Sequence, residues 1–264
     1  MNMKHTYAIC AYQNSPYLEE CIRSLKGQTV RSDILLATST PNEEIRKLCA
    51  AYDIPLYVNE GESGITQDWN FAYSCARTAY VTLAHQDDLY DHHYTEELLQ
   101  HLKQADRPIL YFTDYGELRS DKKIVSNRLL KVKRTMLAPL KLSVLQNSIF
   151  VRRRILSFGC PICCPSVTFV KANCPEVIFQ NGFRSDEDWE AWEKLSSRNG
   201  AFVYNPSVLM YHRIHTDSET TKIIQDQARS REDYTMFRKF WPDPIAKLLT
   251  RLYSSSQKSN ETDL

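Results

Sequence analysis

One stretch constrains this chain more than any other: Tyr80-Val81-Thr82-Leu83-Ala84-His85-Gln86-Asp87-Asp88-Leu89-Tyr90. It opens as an apolar, β-branched run, which reads as a buried strand of a parallel sheet. It then stops at two adjacent carboxylates. Ligands of open α/β sheets sit in the crevice at the carboxyl ends of the strands, so paired acids delivered there are candidate ligands for a divalent cation. Oxygen donors of this kind suit Mg or Mn, ions that commonly hold substrate phosphates as well. A plainer reading stands beside this one, in which Asp87 and Asp88 cap the following helix, since Asp is a favoured N-cap residue.

The chain around this stretch alternates strand and helix. Thr6 to Ala11 is a short apolar strand, followed by the polar turn Tyr12-Gln13-Asn14-Ser15-Pro16. Tyr17 to Lys26 then repeats Leu18, Cys21, Ile22 and Leu25 at helical spacing, and Gly27 closes the helix. Ser32 to Thr38 and Leu56 to Val58 are further strands. Pro41 opens one helix, with Glu43 and Glu44 in its first turn, and Thr66 to Arg77 forms another. Such alternation before residue 80 predicts right-handed βαβ units and a mostly parallel sheet flanked by helices. Beyond it, Tyr94–Leu102 is helical and Pro108 to Thr113 is a strand. Phe158 to Pro165 loops, Val167 to Val170 is a strand and Asp186 to Arg198 a helix. Ala201–Tyr204 and Val208–His212 read as two strands, Ile223 to Phe240 as a helix stopped by Pro242, and the polar end from Ser254 as a mobile tail.

Composition narrows the class. In 264 residues, 42% hydrophobic and 25% charged with a formal charge of +1, nothing argues for bulk electrostatic binding to nucleic acid. The charge is unevenly placed. Between Arg119 and Arg154 the basic residues include Lys131, Lys133, Arg134, Arg152, Arg153 and Arg154, against one acid, Asp121. Such a block suits a solvated face, an anionic membrane surface or a substrate phosphate. Several of the eight cysteines lie in patterned, buried-looking segments, as suits reduced intracellular thiols. Nothing near the N-terminus resembles a signal peptide, and no window reaches the roughly 18 apolar residues of a membrane span. A cytoplasmic protein, peripheral at the inner membrane face, is expected.

The run from Tyr12-Gln13-Asn14-Ser15-Pro16-Tyr17-Leu18 through Thr29, the segment Gly64 to Ala72, and His85-Gln86-Asp87-Asp88 together resemble glycosyltransferase family 2 on a GT-A fold. Further on, Glu187-Asp188-Trp189-Glu190-Ala191-Trp192 is similar to that family's acidic pair ahead of an acceptor-side helix, and Tyr211-His212-Arg213-Ile214-His215 to its late Arg-x-His segment. The resemblance implies an inverting transfer of sugar from a nucleotide-sugar, a UDP-sugar foremost, to a hydroxyl of a glycan or polyprenyl-diphosphate-linked acceptor in surface polysaccharide synthesis. It also implies a Mn or Mg ion on the diphosphate, and a nucleotide-sugar-binding half over residues 1–115. An acceptor-side half then follows over 116–253, with 254–264 as the tail.

Residue by residue, the resemblance makes Asp87 and His215 metal ligands and Asp188 the general base. Tyr12 would lie against the nucleotide base, with Ser39, Asp68, His85, Gln86 and Asp87 around the donor. Trp189 and Trp192 either stack on sugar or fill the core from one helix face. The chain also departs from the family's pattern. His85 stands where the opening acid of D-x-D is expected. Ala37-Thr38-Ser39-Thr40-Pro41 lacks the acid expected after the second strand, and Trp69-Asn70, preceded by Asp68, replaces an Arg-Asn pair. Two rival readings follow: a catalytically degraded nucleotide- or glycan-binding protein, with His85 as its support, and a zinc or redox site at Cys160-Pro161-Ile162-Cys163-Cys164 with Cys174.

Overall fold

The computed structural model describes residues 4–215 and 228–261. Its first half is built from β1 (His5–Ala11), α1 (Leu18–Lys26), β2 (Asp33–Thr38), α2 (Glu43–Ala51), β3 (Leu56–Val58), α3 (Ile65–Cys75) and β4 (Tyr80–His85). These strands pair in parallel in the order β3-β2-β1-β4. In the central strand β1, Tyr7 and Ile9 enter one core and Ala8 the other, the period of two that a strand imposes. Helices cover both faces, so β1 and β4 can be apolar almost throughout.

Beyond β4 the sheet becomes mixed. The short β5 (Leu89–Tyr90) and α4 (Tyr94–Gln104) lead to β6 (Pro108–Arg119), which turns back as β7 (Lys122–Ile124). β8 (Val167–Val170) is inserted antiparallel between β4 and β6, and β9 (Ala201–Ile214) runs parallel to β6. The whole is a mixed α/β sheet in the order β3-β2-β1-β4-β8-β6-β9-β5. The two strands expected at 201–204 and 208–212 are one. Its register shifts between Asn205 and Val208, where Pro206 has no N–H for the ladder and a bulge absorbs the extra residues. β6 likewise runs past Thr113 to Arg119 because β9 supplies a partner along its full length.

The basic stretch folds into α5 (Arg128–Leu137), a 3₁₀ turn, α6 (Ser143–Gln146) and α7 (Ile149–Leu156), ahead of α8 (Glu187–Ser196). The chain closes with α9 (Ala228–Arg238) and α10 (Asp243–Glu261). The start of the helix expected from Ile223 lies outside the described residues, and the polar segment expected as a tail is helical as far as Glu261. Among the described residues no helix is long and apolar enough to cross a membrane.

Much of the basic block is spent internally. Arg152 is buried and donates to the carbonyls of Ser196, Arg198 and Gly200 at and beyond the end of α8 and to that of Gln146 at the end of α6. Arg134 pairs with Asp114 and donates to the carbonyls of Val125 and Tyr115, while Arg153 pairs with Glu193. These cations knit the second half of the chain together. A flat basic face made of the whole block does not exist.

Candidate active site

The site lies at the carboxyl end of β4, where the chain leaves the sheet. Asp87 and Asp88 do not cap the next helix: α4 begins at Tyr94 with His93 as its N-cap and no side-chain cap. Both carboxylates instead face the end of β9. Asp88 is fully buried, and its Oδ1 lies 3.0 Å from His212 Nδ1 and accepts from the Arg213 amide at 2.9 Å. Burial pushes the His212 imidazole down, but the charge of Asp88 and its hydrogen bond outweigh that and hold the pKa at about 9. His212 is therefore an imidazolium at neutral pH, paired with Asp88.

Asp87 is presented one residue earlier. Its Oδ2 lies 3.0 Å from His215 Nε2. Burial works to raise its pKa, yet the hydrogen bond from His215 and the positive charge of His212 bring it below the ordinary carboxylate value. Arg213 fixes this arrangement from beneath. Its Nε donates to the Asp87 carbonyl at 2.9 Å, its other nitrogens reach Glu20 and Asp121, and its guanidinium lies over Tyr17, whose ring is in turn 5.0 Å from His215.

A divalent cation fits the donor set of Asp87 and His215. One carboxylate oxygen and one imidazole nitrogen 3.0 Å apart match two adjacent corners of an octahedron with bonds of about 2.1 Å. The remaining corners would fall to water or substrate phosphate, as is usual for Mg and Mn. Imidazole among the ligands favours Mn of the two. Another candidate grouping, Asp91 with His92 and His93, lies on the surface at the turn before α4.

The donor-side residues surround the ends of β1 and β2. Tyr12 is largely exposed, and its backbone is clamped by Gln86, whose Oε1 accepts from the Tyr12 amide while its Nε2 donates to the Tyr12 carbonyl, both at 3.0 Å. Gln86 therefore braces the turn with both ends of its amide. Ser39 donates to Asp68 Oδ2 at 2.6 Å, and Asn59 donates to Asp68 Oδ1 at 2.7 Å. His85 stacks on Trp69 with ring centroids 4.9 Å apart, and burial lowers its pKa so that it is neutral.

Asp188 sits in the first turn of α8. Its Oδ1 accepts from the Trp189 amide at 2.6 Å and the Cys160 thiol faces its Oδ2 at 3.7 Å. Burial raises its pKa, opposed by the Trp189 amide and the charges of Lys133 and Arg229. Lys133, on α5, donates to the Tyr115 hydroxyl at 3.0 Å, and its charge is felt by both Asp188 and His212. Nothing in the sequence marked Lys133 apart from its basic neighbours; only the turn of α5 against β6 selects it.

The alternatives at other residues resolve on burial. Trp189 and Trp192 are both fully buried, packed against Phe237 and Phe169, and so belong to the core. The cysteines are free thiols, Cys160 and Cys174 donating to backbone carbonyls of Ile162 and Ile109, and among the described residues they form no group of three metal-ligand atoms.

The glycosyl transferase family 2 pattern matches residues 6–159, more than half of the chain. The chain belongs to glycosyl transferase family 2. It is also similar to the glycosyltransferase GlyG of Streptococcus pneumoniae serotype 4, 24% identical over 116 residues, and that match covers 42% of this chain and 38% of the relative's length. In fold, it is similar to S. aureus TarS 1-349 in complex with UDP-GlcNAc, with a TM-score of 0.62 at 13% identity, covering 94% of this chain and 70% of that one. The mannosyltransferase PcManGT from Pyrobaculum calidifontis, in complex with GDP-Man and Mn2+, gives a TM-score of 0.58 at 13% identity over 95% of this chain and 69% of that one. Both neighbours are GT-A glycosyltransferases, and the mixed α/β sheet of this chain shares their fold.

Proposed function

We propose that this chain transfers a sugar, with inversion, from a nucleoside-diphosphate donor to a hydroxyl of a glycan or lipid-linked acceptor in surface polysaccharide synthesis. The observation that carries the reading is the Asp87–His215 pair at the end of β4, two potential ligand atoms 3.0 Å apart. A divalent cation bound there would offset the charge of the departing diphosphate. In this reading Tyr12 contacts the base and the Ser39–Asp68 pair the base or ribose, and a UDP-sugar is the first donor to try. Asp188, its pKa raised by burial, takes the proton of the acceptor hydroxyl. As the acceptor oxygen bonds to the anomeric carbon, the bond to the diphosphate breaks with its electron pair, leaving the nucleoside diphosphate as product. Charge at that carbon is oxocarbenium-like, as in glycoside hydrolysis.

One observation favours a donor-binding protein without turnover. His85, at the position of the first acid of the motif, is neutral and stacked on Trp69, so it contributes no second carboxylate. A thermal-shift panel of uridine, thymidine, guanosine and cytidine diphosphate sugars, with and without Mn, tests donor binding. A ligand at a hundred times its Kd stabilises by roughly 2.7 kcal/mol. A Mn-dependent shift with one nucleotide class, lost in His215→Ala, supports the reading; no shift with any donor overturns it. Release of nucleoside diphosphate over time then separates turnover from binding alone.

A further inference from the structure

A second surface is built around the end of α7 and the α9–α10 turn. Phe150 projects from α7 at 70% exposure, and the Arg154 guanidinium lies 5.5 Å from the centre of its ring. The same guanidinium stands 5.0 Å from the ring of Trp241, which in turn lies 5.6 Å from Phe158. Aromatic rings and an arginine thus form one continuous strip. From Trp241 the chain turns directly into α10, and there Ile245 and Leu248 are exposed one turn apart, Leu248 at 56%. Lys247 and Arg251 flank them on the same helix.

The two ends of this surface are fastened together. Gly159, in the left-handed region with φ of 143°, lets the chain after Phe158 pass against Tyr253 of α10, where a Cβ would meet the Tyr253 ring at 2.8 Å. The Tyr253 hydroxyl also accepts from the Cys160 amide, and its ring packs on Trp189 beside Asp188. The inner face of α10 therefore covers the helix of the candidate base, while its outer face carries the apolar pair.

We infer that this face docks on an anionic lipid bilayer, with Phe150, Phe158, Ile245 and Leu248 entering the headgroup boundary and Arg154, Lys247 and Arg251 meeting lipid phosphates. Aromatic and aliphatic side chains interleaved with long basic ones suit that boundary, where the stems bury and the charged heads stay with the headgroups. Anionic leaflets attract each such cation by about 1 kcal/mol. The chemistry also argues against a second copy. A two-fold interface brings one patch against itself, and here that would oppose the same cations with Asp243, already paired to Lys247, as the acid at the turn.

The inference stands apart from the transfer reaction, because docking needs neither donor nor base. Its test is co-sedimentation of the full chain with vesicles of phosphatidylcholine alone and of phosphatidylcholine with 30% phosphatidylglycerol, about 0.1 M salt. The expected result is partitioning at least about tenfold stronger onto the anionic vesicles. Phe150→Ser with Ile245→Ser and Leu248→Ser should reduce it about tenfold or more, and Arg154→Glu with Arg251→Glu should remove the anionic preference. All five side chains are exposed, so the circular dichroism and melting temperature should hold, and any donor-induced thermal shift should persist. Absence of wild-type binding, equal binding to both vesicles, undiminished binding of the folded variants, or a solution dimer that the serine variant dissociates would each overturn the proposal.

Discussion

The Ser39 hydroxyl donates to Asp68 Oδ2 at 2.6 Å, so a carboxylate from α3 stands at the end of β2 although the loop after β2 contains none. The acid missing from Thr38-Ser39-Thr40 is thereby supplied from a different element. Asn59 holds the other oxygen, fixing the carboxylate before any ligand arrives. Hydrogen bonds to charged groups are worth about 1.5–3 kcal/mol, so Asp68→Ala should weaken donor binding by roughly ten- to a hundredfold. Titration calorimetry with the nucleotide found in the panel measures this; unchanged affinity would place the donor elsewhere.

Asp188 is the proposed acceptor of the hydroxyl proton, and it does not touch the donor-side residues. General-base removal costs about 10²–10⁴ in rate. Asp188→Asn, which keeps an oxygen for the Trp189 amide, should lower kcat by that factor and leave donor Kd within about twofold. Comparable losses in both would mean that Asp188 positions the donor.

How much of this was legible in sequence depends on the range of the interaction. β1 to β4 and their helices were readable because apolar spacing and turn residues act over a few positions, and Asp87 was readable because a strand's end places it. The long β9 was not. Its continuity through Pro206 depends on β6, a partner some ninety positions away, and a bulge leaves no local mark. Charge was the least legible feature. Lys133, Arg134, Arg152 and Arg153 read alike in the chain, yet one donates to the Tyr115 hydroxyl, one pairs with Asp114, one is buried among carbonyls and one pairs with Glu193. Tertiary placement alone separates them.

Lys133 gives a test through pH. Burial raises the Asp188 pKa and the Lys133 ammonium opposes the rise. A base works only when ionised, so activity falls as pH drops through its pKa. Lys133→Met removes the opposing charge, and the acidic limb of kcat/KM should move to higher pH, while Lys133→Arg should keep it near the wild-type position. The groups facing Asp188 from other elements are Arg229 and the thiols of Cys160, Cys163 and Cys164, and none of them changes in these variants. A uniform loss at every pH would assign Lys133 to substrate binding instead.

The His212–Asp88 pair should make stability depend on pH in the alkaline direction. The imidazole's pKa is about 9 in the folded chain against 6.5 for an unperturbed histidine, so the folded state binds the proton more tightly. Its contribution is complete below about pH 6.5 and is lost as pH rises through 9. At 1.36 kcal/mol per pH unit, the difference of 2.5 units corresponds to about 3 kcal/mol. Asp88 cannot shed its cost by turning to water, because it is fully buried and its Oδ2 has no hydrogen-bond partner. Urea unfolding of the wild type and His212→Asn at pH 6, 7.5 and 9.5 isolates the effect from other titrations (the subtraction removes what the two chains share). The wild-type advantage should shrink steadily between the first and last of these pH values. A constant advantage would mean that the His212 imidazole does not change its charge over this range, and would overturn its pairing with Asp88 as the source of the pH dependence.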